Sequence, residues 1–233
     1  CLSTVNHTQR QLMGSLAHEM KTPLTSIIGY ADLMRIENLS EEEQKEACGY
    51  IYSEGKRLQN LSLKLMNLLV LKNQEFQMKK QNLVPMIHEV ISSMQYRLQE
   101  QKILVNLNLK PTICEVEADL LKSLILNLVD NSLKSMNVGG ILTIECCPAQ
   151  EGAKIYVSDT GCGMPKGELD KITEAFYRVD KSRSRKQGGV GLGLALCKEI
   201  VRIHKGDMEF ISQEEKGTTA IITIGGGHYE KTD

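Results

Sequence analysis

Ser15-Leu16-Ala17-His18-Glu19-Met20-Lys21-Thr22-Pro23-Leu24 sets an imidazole, a carboxylate and a hydroxyl within little more than one helical turn. An accessible imidazole is a usable nucleophile near neutral pH. Glu19 beside His18 is placed to accept the other ring proton, which would fix the tautomer. Pro23 removes a backbone hydrogen bond to the Glu19 carbonyl, so a kink is expected beside the histidine. A zinc site of the HExxH kind is disfavoured, because Thr22 stands where the second histidine belongs. Alone, the segment describes an exposed surface histidine on a coiled coil equally well.

Three further clusters carry chemistry. In Asn127-Leu128-Val129-Asp130-Asn131-Ser132-Leu133-Lys134, the spacing places Asn127, Asn131 and Lys134 on one helix face. Two amide oxygens suit a magnesium ion and an ammonium suits phosphate, although a plain polar surface has the same composition. Asp159-Thr160-Gly161-Cys162-Gly163 follows a strand pattern. Its glycines allow a flat ligand to approach the backbone, and its carboxylate can accept from an amino group such as that of adenine. The same residues also make an ordinary tight turn. Gly188-Gly189-Val190-Gly191-Leu192-Gly193 opens a helix and presents backbone N–H groups to an anion. Its spacing is neither that of a dinucleotide-binding fingerprint nor that of a P-loop. Between the two glycine clusters, the run Phe176 to Gln187 reads as a flap whose basic side chains can reach phosphates, or as a solvated basic loop.

These groups need a scaffold. Met13, Ala17, Met20, Leu24, Ile27, Ala31 and Met34 recur at heptad spacing. Ile51, Leu58 and Leu65, interleaved with Leu61 and Leu68, form a second stripe with Glu54 as its polar member, after a Ser40/Glu43 capping-box pattern. Two long helices with narrow apolar stripes enclose little core, so the hairpin is expected to pair with a copy of itself in a four-helix bundle, as a homodimer. Past Gln81 the pattern changes. Strands are expected at 103–109, 141–146, 154–158, 208–212 and 219–224, and helices at 83–99, 118–136 and 192–204. This order suggests an α+β two-layer sandwich with helices on one face of a sheet. The boundary is expected near 74–82, giving a hairpin domain over 1–77 and a second domain over 78–233.

Composition narrows the function. The chain has 233 residues, and its 28 basic and 29 acidic side chains nearly cancel, which argues against binding nucleic acid through bulk charge. Aromatics are only 4% and tryptophan is absent, so base-stacking platforms are not expected. No apolar run approaches the ~20 residues of a membrane helix. The seven cysteines form no CxxC pair, which fits free thiols in a reducing cytoplasm. The chain begins at Cys1 without a signal peptide pattern, and is expected to be a fragment of something longer.

Taken in order, the clusters resemble the catalytic core of bacterial sensor histidine kinases over roughly residues 8–224. His18–Pro23 is similar to the H-box, Asn127–Lys134 to the N-box, Asp159–Gly163 to the first glycine box, Phe176–Arg178 to the F-box and Gly189–Gly193 to the second glycine box. Gly217-Thr218 resembles the last glycine motif. The resemblance implies a dimerisation and phosphoacceptor hairpin followed by an ATP-binding domain of the fold shared by gyrase, Hsp90, histidine kinases and MutL. It implies that His18 attacks the γ-phosphate of ATP, with Glu19 as acid–base partner, and that the phosphoryl group passes to an aspartate on a response regulator receiver domain. Asn127 and Asn131 would serve magnesium and phosphate, and Lys134 phosphate. Asp159 would recognise adenine, with Gly161, Gly163 and Thr218 around it. Phe176, Arg178 and the glycines 189, 191 and 193 would close over the triphosphate. Thr22, one turn after His18, implies a phosphatase activity towards the regulator as well. His204-Lys205-Gly206 and Val190 depart from the usual pattern without removing a named group, and His204 is expected to be structural. The alternatives are an ATPase of the same fold without the kinase hairpin, an inactive scaffold and a Ser/Thr protein kinase; the heptad hairpin with His18 argues against the first and third. The fragment is expected to be cytoplasmic, its parent anchored in the membrane through a region upstream.

Overall fold

The computed structural model describes residues 2–36, 39–136, 138–150, 152–179 and 190–225. Gly189, expected to line the nucleotide site, lies outside them.

Helix α1 (Leu2–Ile36) runs through Pro23 without interruption, and α2 (Glu41–Asn73) returns beside it. The expected capping box starts α2: Ser40 Oγ accepts from the Glu43 N–H, and the Glu43 carboxylate accepts from the Ser40 N–H at 2.8 Å. The expected stripe of α2 is covered, with Leu61 and Leu68 buried and Ile51, Glu54, Leu58 and Leu65 half-buried. The α1 stripe is only partly covered by its own chain. Ile27 and Met34 are half-buried, but Met13, Met20 and Leu24 stay 62%, 38% and 43% exposed in the single chain. Pro23 is buried, and Leu16 and Tyr30 are half-buried. Helix α1 thus has two neighbouring apolar stripes, one against its own α2 and one uncovered. Heptad spacing alone does not assign either to a neighbour.

Helix α2 ends at Gln74, which is extended (φ −112°, ψ 141°). A small antiparallel ladder follows, β1 (Lys79–Asn82) against β3 (Ile113–Val116), with Lys79 opposite Val116. Neither strand was expected, since Lys-Lys-Gln-Asn has no apolar alternation. The expected helix over 83–99 is two pieces, α3 (Leu83–Ser93) and α4 (Gln95–Glu100), separated at Met94 without a glycine or proline to mark the break.

The main sheet has the order β2 (Leu104–Leu109), β4 (Ile141–Pro148), β5 (Ala153–Asp159), β7 (Gly217–Ile224), β6 (Asp207–Gln213). Only the β2–β4 pair is parallel. Leu142, Ile144 and Cys146 on β4, Ile155 and Val157 on β5, and Ile222 and Ile224 on β7 are buried, and their neighbours alternate outward. One face therefore packs under α3, α5 (Ala118–Ser135) and α6 (Gly193–Ile203), as a two-layer sandwich requires. His204 closes this layer: its Nδ1 lies 2.8 Å from the Ile200 carbonyl and its Nε2 accepts from the Glu117 N–H at 3.0 Å. Both ring nitrogens are spent on backbone, so the residue is structural. Leu68 and Leu71 of α2 join the same apolar core, so the hairpin's far end is packed against the sandwich through α6.

Candidate nucleotide and phosphoacceptor sites

Alternation along β5 turns Asp159 to the helix-covered face at the strand's end. Its Oδ1 accepts from the Gly161 N–H at 2.9 Å, from Ser135 Oγ at 3.0 Å and from the Thr218 N–H at 3.3 Å. Thr218 sits opposite Asp159 in the ladder, which explains its reach. Burial pushes the Asp159 carboxyl above its ordinary value, although hydrogen bonds from Gly161, Ser132, Ser135 and Thr218 pull the other way. A half-dry carboxylate in a cleft is poised to take a further donor.

The glycines after it are there for space. A Cβ on Gly161 would lie 2.1 Å from Ser135 Oγ, and one on Gly163, whose φ is +62°, 1.9 Å from the Gln213 carbonyl oxygen. A side chain at Gly161 would displace Ser135, which holds Asp159, and one at Gly163 would collide with the backbone at Gln213.

Helix α5 supplies the other wall. Leu121, Leu124, Ile125, Leu128 and Val129 bury one face, leaving Asn127, Asn131 and Lys134 on the other. Asn127 Nδ2 donates to the Ser123 carbonyl at 2.7 Å, so its Oδ1 is the atom turned to Gly193 at the start of α6. Lys134 Nζ pairs with Asp130 at 2.6 Å, and Asp130 also takes Arg97 at 2.7 Å. Burial pushes the Asp130 carboxyl up, but Lys134 and Arg97 outweigh it and hold it below the usual range.

Asn131, Lys134, Asp159, Gly163, Arg178, Gly191, Gly193 and Thr218 line one cavity of about 480 Å³. Asn127, Gly161 and Phe176 are not among its lining residues; Phe176, at φ 68°, donates its N–H to the Gly191 carbonyl at 2.8 Å, and residues 180–187 of the expected flap lie outside the described residues. A larger cavity, about 900 Å³, opens between α2, α6 and β6 but contains none of these groups.

His18 is exposed on α1, and neither it nor Glu19 nor Thr22 lines the cavity. Thr22 Oγ1 is 3.5 Å from the His18 carbonyl oxygen. The expected Glu19–His18 partnership is not the contact formed: the Glu19 carboxylate takes Arg57 Nη2 of α2 at 3.1 Å, and Arg57 also reaches Glu54 at 3.5 Å. The adjacency of Glu19 and His18 in sequence does not reveal a cation brought from another helix.

Sequence reasoning missed Lys64 of α2, the only hairpin side chain among those described as lining the nucleotide cavity. It also left Ser132, Ser135 and Arg97 without roles. The i,i+4 spacing of Asp130 and Lys134 was readable as an ion pair, whereas the contacts of Arg97 and the serines depend on elements no local pattern connects to them.

An ATPase sandwich joined to a histidine-bearing helical hairpin defines a class of phosphotransfer protein. Residues 116–226 match the family described as histidine kinase-, DNA gyrase B- and HSP90-like ATPase, and residues 8–68 match the His Kinase A (phospho-acceptor) domain. The chain belongs to the sensor histidine kinases, as a catalytic core. It is 31% identical over 231 residues to the sensor histidine kinase WalK of Bacillus subtilis, covering 94% of this chain and 37% of that protein. It is 27% identical over 226 residues to the sensor protein SrrB of Staphylococcus aureus, with 94% and 38% covered. The chain thus spans little more than a third of these relatives. Among solved structures, histidine kinase ThkA in complex with response regulator protein TrrA superposes with a TM-score of 0.77 at 21% identity, over 92% of this chain and 61% of that one. Histidine kinase AdeS of Acinetobacter baumannii superposes at 0.70 and 19% identity, over 90% and 98%. Among the described residues, no helix is long and apolar enough to cross a membrane.

Proposed function

We propose that this core phosphorylates His18 from magnesium ATP and hands the phosphoryl group to an aspartate of a response regulator receiver domain. The observation carrying this reading is the single cavity that unites Asp159, Asn131 and Lys134, in a chain whose hairpin also displays an exposed histidine. The Asp159 carboxylate would accept from the adenine amino group, its Oδ1 being fixed by protein donors. Lys134 would meet the phosphates. The amide oxygens of Asn127 and Asn131 fit magnesium, which favours hard oxygen donors and shares its coordination with phosphates. When bound, that ion would neutralise charge building on the phosphates.

Transfer breaks the bond between the γ-phosphorus and its bridging oxygen and forms a nitrogen–phosphorus bond at His18, releasing ADP. The second ring nitrogen's proton needs an acceptor, and Glu19 is the nearest carboxylate in sequence. To serve, it must exchange part of its Arg57 contact for the imidazole. Because His18 lies outside the cavity, the ATPase domain must shift along the hairpin before transfer. The protein's contribution is positioning and charge neutralisation. Residues 1–77 form the phosphotransfer and dimerisation unit and 78–233 the catalytic unit. Two copies pair through the uncovered α1 stripe of Met13, Met20 and Leu24. Thr22 positions a water that dephosphorylates the regulator.

The test incubates the chain with γ-labelled ATP and magnesium beside His18→Gln. Acid-labile, alkali-stable label that disappears in the variant is expected. Label surviving the substitution would place the acceptor elsewhere and overturn the reading.

A further inference from the structure

Lys64 belongs to the hairpin, yet it lines the cavity of the other domain together with Asn131 and Lys134. The charges around it are Lys134, Asp130 and the Cys197 thiol of α6. Asp130 is already engaged by Lys134 at 2.6 Å and Arg97 at 2.7 Å. Among the described residues Lys64 makes no ion pair of its own. Burial, and then the like charge of Lys134, lowers its pKa, so the ammonium gains from any anion that reaches both lysines. Cys197 does not supply one, since burial pushes that thiol up to about 12.

The register of the hairpin adds a second constraint. The Glu19–Arg57 contact marks the level of His18 on α2. Lys64 lies seven residues further along, roughly 10 Å down the helix axis at 1.5 Å per residue. The hairpin therefore meets the cavity about two turns away from the phosphoryl acceptor.

We propose that Lys64 is a ligand for the terminal phosphate of the bound nucleotide, supplied by the phosphoacceptor hairpin to the ATPase domain. This rests on the reading that the cavity holds ATP. The γ-phosphate then links the two domains in a loaded state, with the phosphoryl group held below His18 by a contact that must break before transfer. ADP, which lacks that phosphate, does not make the link.

Calorimetric titration of the whole chain with a non-hydrolysable ATP analogue and with ADP tests this, using the natural protein, Lys64→Ala and Lys64→Arg. Loss of one charge-assisted phosphate contact is expected to weaken the analogue about tenfold in Lys64→Ala, while ADP changes by less than about twofold. Lys64→Arg keeps the charge and most of the analogue affinity. A melting curve of Lys64→Ala that matches the natural protein shows that the fold is intact. Equal analogue affinity in Lys64→Ala and the natural protein overturns the proposal, as does a parallel loss for analogue and ADP, which would put the contact on the inner phosphates. Tighter analogue binding in Lys64→Ala also overturns it, identifying the ammonium as a plug instead. Failure of the natural chain to bind either nucleotide would strike the ATP reading itself.

Discussion

Replacing Asp159 by asparagine sets binding and stability against each other. The asparagine carbonyl oxygen can accept from the same Gly161, Ser135 and Thr218 donors that Oδ1 meets at 2.9, 3.0 and 3.3 Å, so the frame survives while the charge goes. A charge-assisted hydrogen bond to a ligand's amino group is worth about 1.5–3 kcal/mol, so Asp159→Asn should raise the dissociation constant for an ATP analogue by roughly 10–150-fold. Stability runs the other way. Burial raises the folded-state pKa of Asp159 above the ordinary 3.8, so its favourable contribution is complete below 3.8 and is lost as pH rises through the folded value. At neutral pH the buried charge is a cost that asparagine does not carry, and the nucleotide-free variant should melt no lower than the natural protein. Analogue affinity of the natural protein should weaken on acidification through that raised pKa, while the variant's stays level. Titration calorimetry and scanning calorimetry at several pH values decide it. A dissociation constant changed by less than about twofold, or a nucleotide-free variant melting several degrees lower, would refute the assignment of Asp159 as a ligand-binding carboxylate.

Thr22→Ala removes a hydroxyl that only grazes the His18 carbonyl, at 3.5 Å, so the helix should be unaffected. Autophosphorylation of His18 should persist and dephosphorylation of a phosphorylated receiver domain should slow by about tenfold or more; unchanged dephosphorylation would remove Thr22 from the chemistry. Asp130 has the opposite sign to Asp159. Its folded pKa is depressed below 3.8, so the stability it contributes is present above that value and lost as pH falls through the depressed one. Asp130→Asn should cost about 1–2 kcal/mol at pH 7, its side chain and partners being partly solvated. In urea unfolding the gap to the natural protein should close in strong acid, and a gap independent of pH would contradict the ion-pair account.

The main strands were readable because each buries one face under helices, which writes a period of two into residues such as Leu142, Ile144 and Cys146. The hairpin and its Ser40/Glu43 start were readable for the same local reason. The β1–β3 ladder was not, since its polar residues are ordered by a partner more than thirty positions away and not by their own pattern. Nor was the break at Met94, which no helix-breaking residue marks.

The sequence by itself determined which side chains are available for phosphotransfer and in what order: His18 with its neighbours, the amides and lysine of α5, Asp159 and the glycines. Those are local facts, set by residue type, helix and strand period and the space a glycine leaves. Only the tertiary structure decided what each group touches. It gave Glu19 to Arg57, Asp130 to Arg97 as well as Lys134, Asp159 to Ser135 and Thr218, and brought Lys64 of the hairpin into the cavity of the neighbouring domain. The physical reason is that ion pairs, hydrogen bonds and burial depend on separation in space, and partners such as Asp159 and Thr218 lie 59 residues apart in the chain. Periodicity shows which face of an element is apolar, but the packing of one element on another decides which charges meet there.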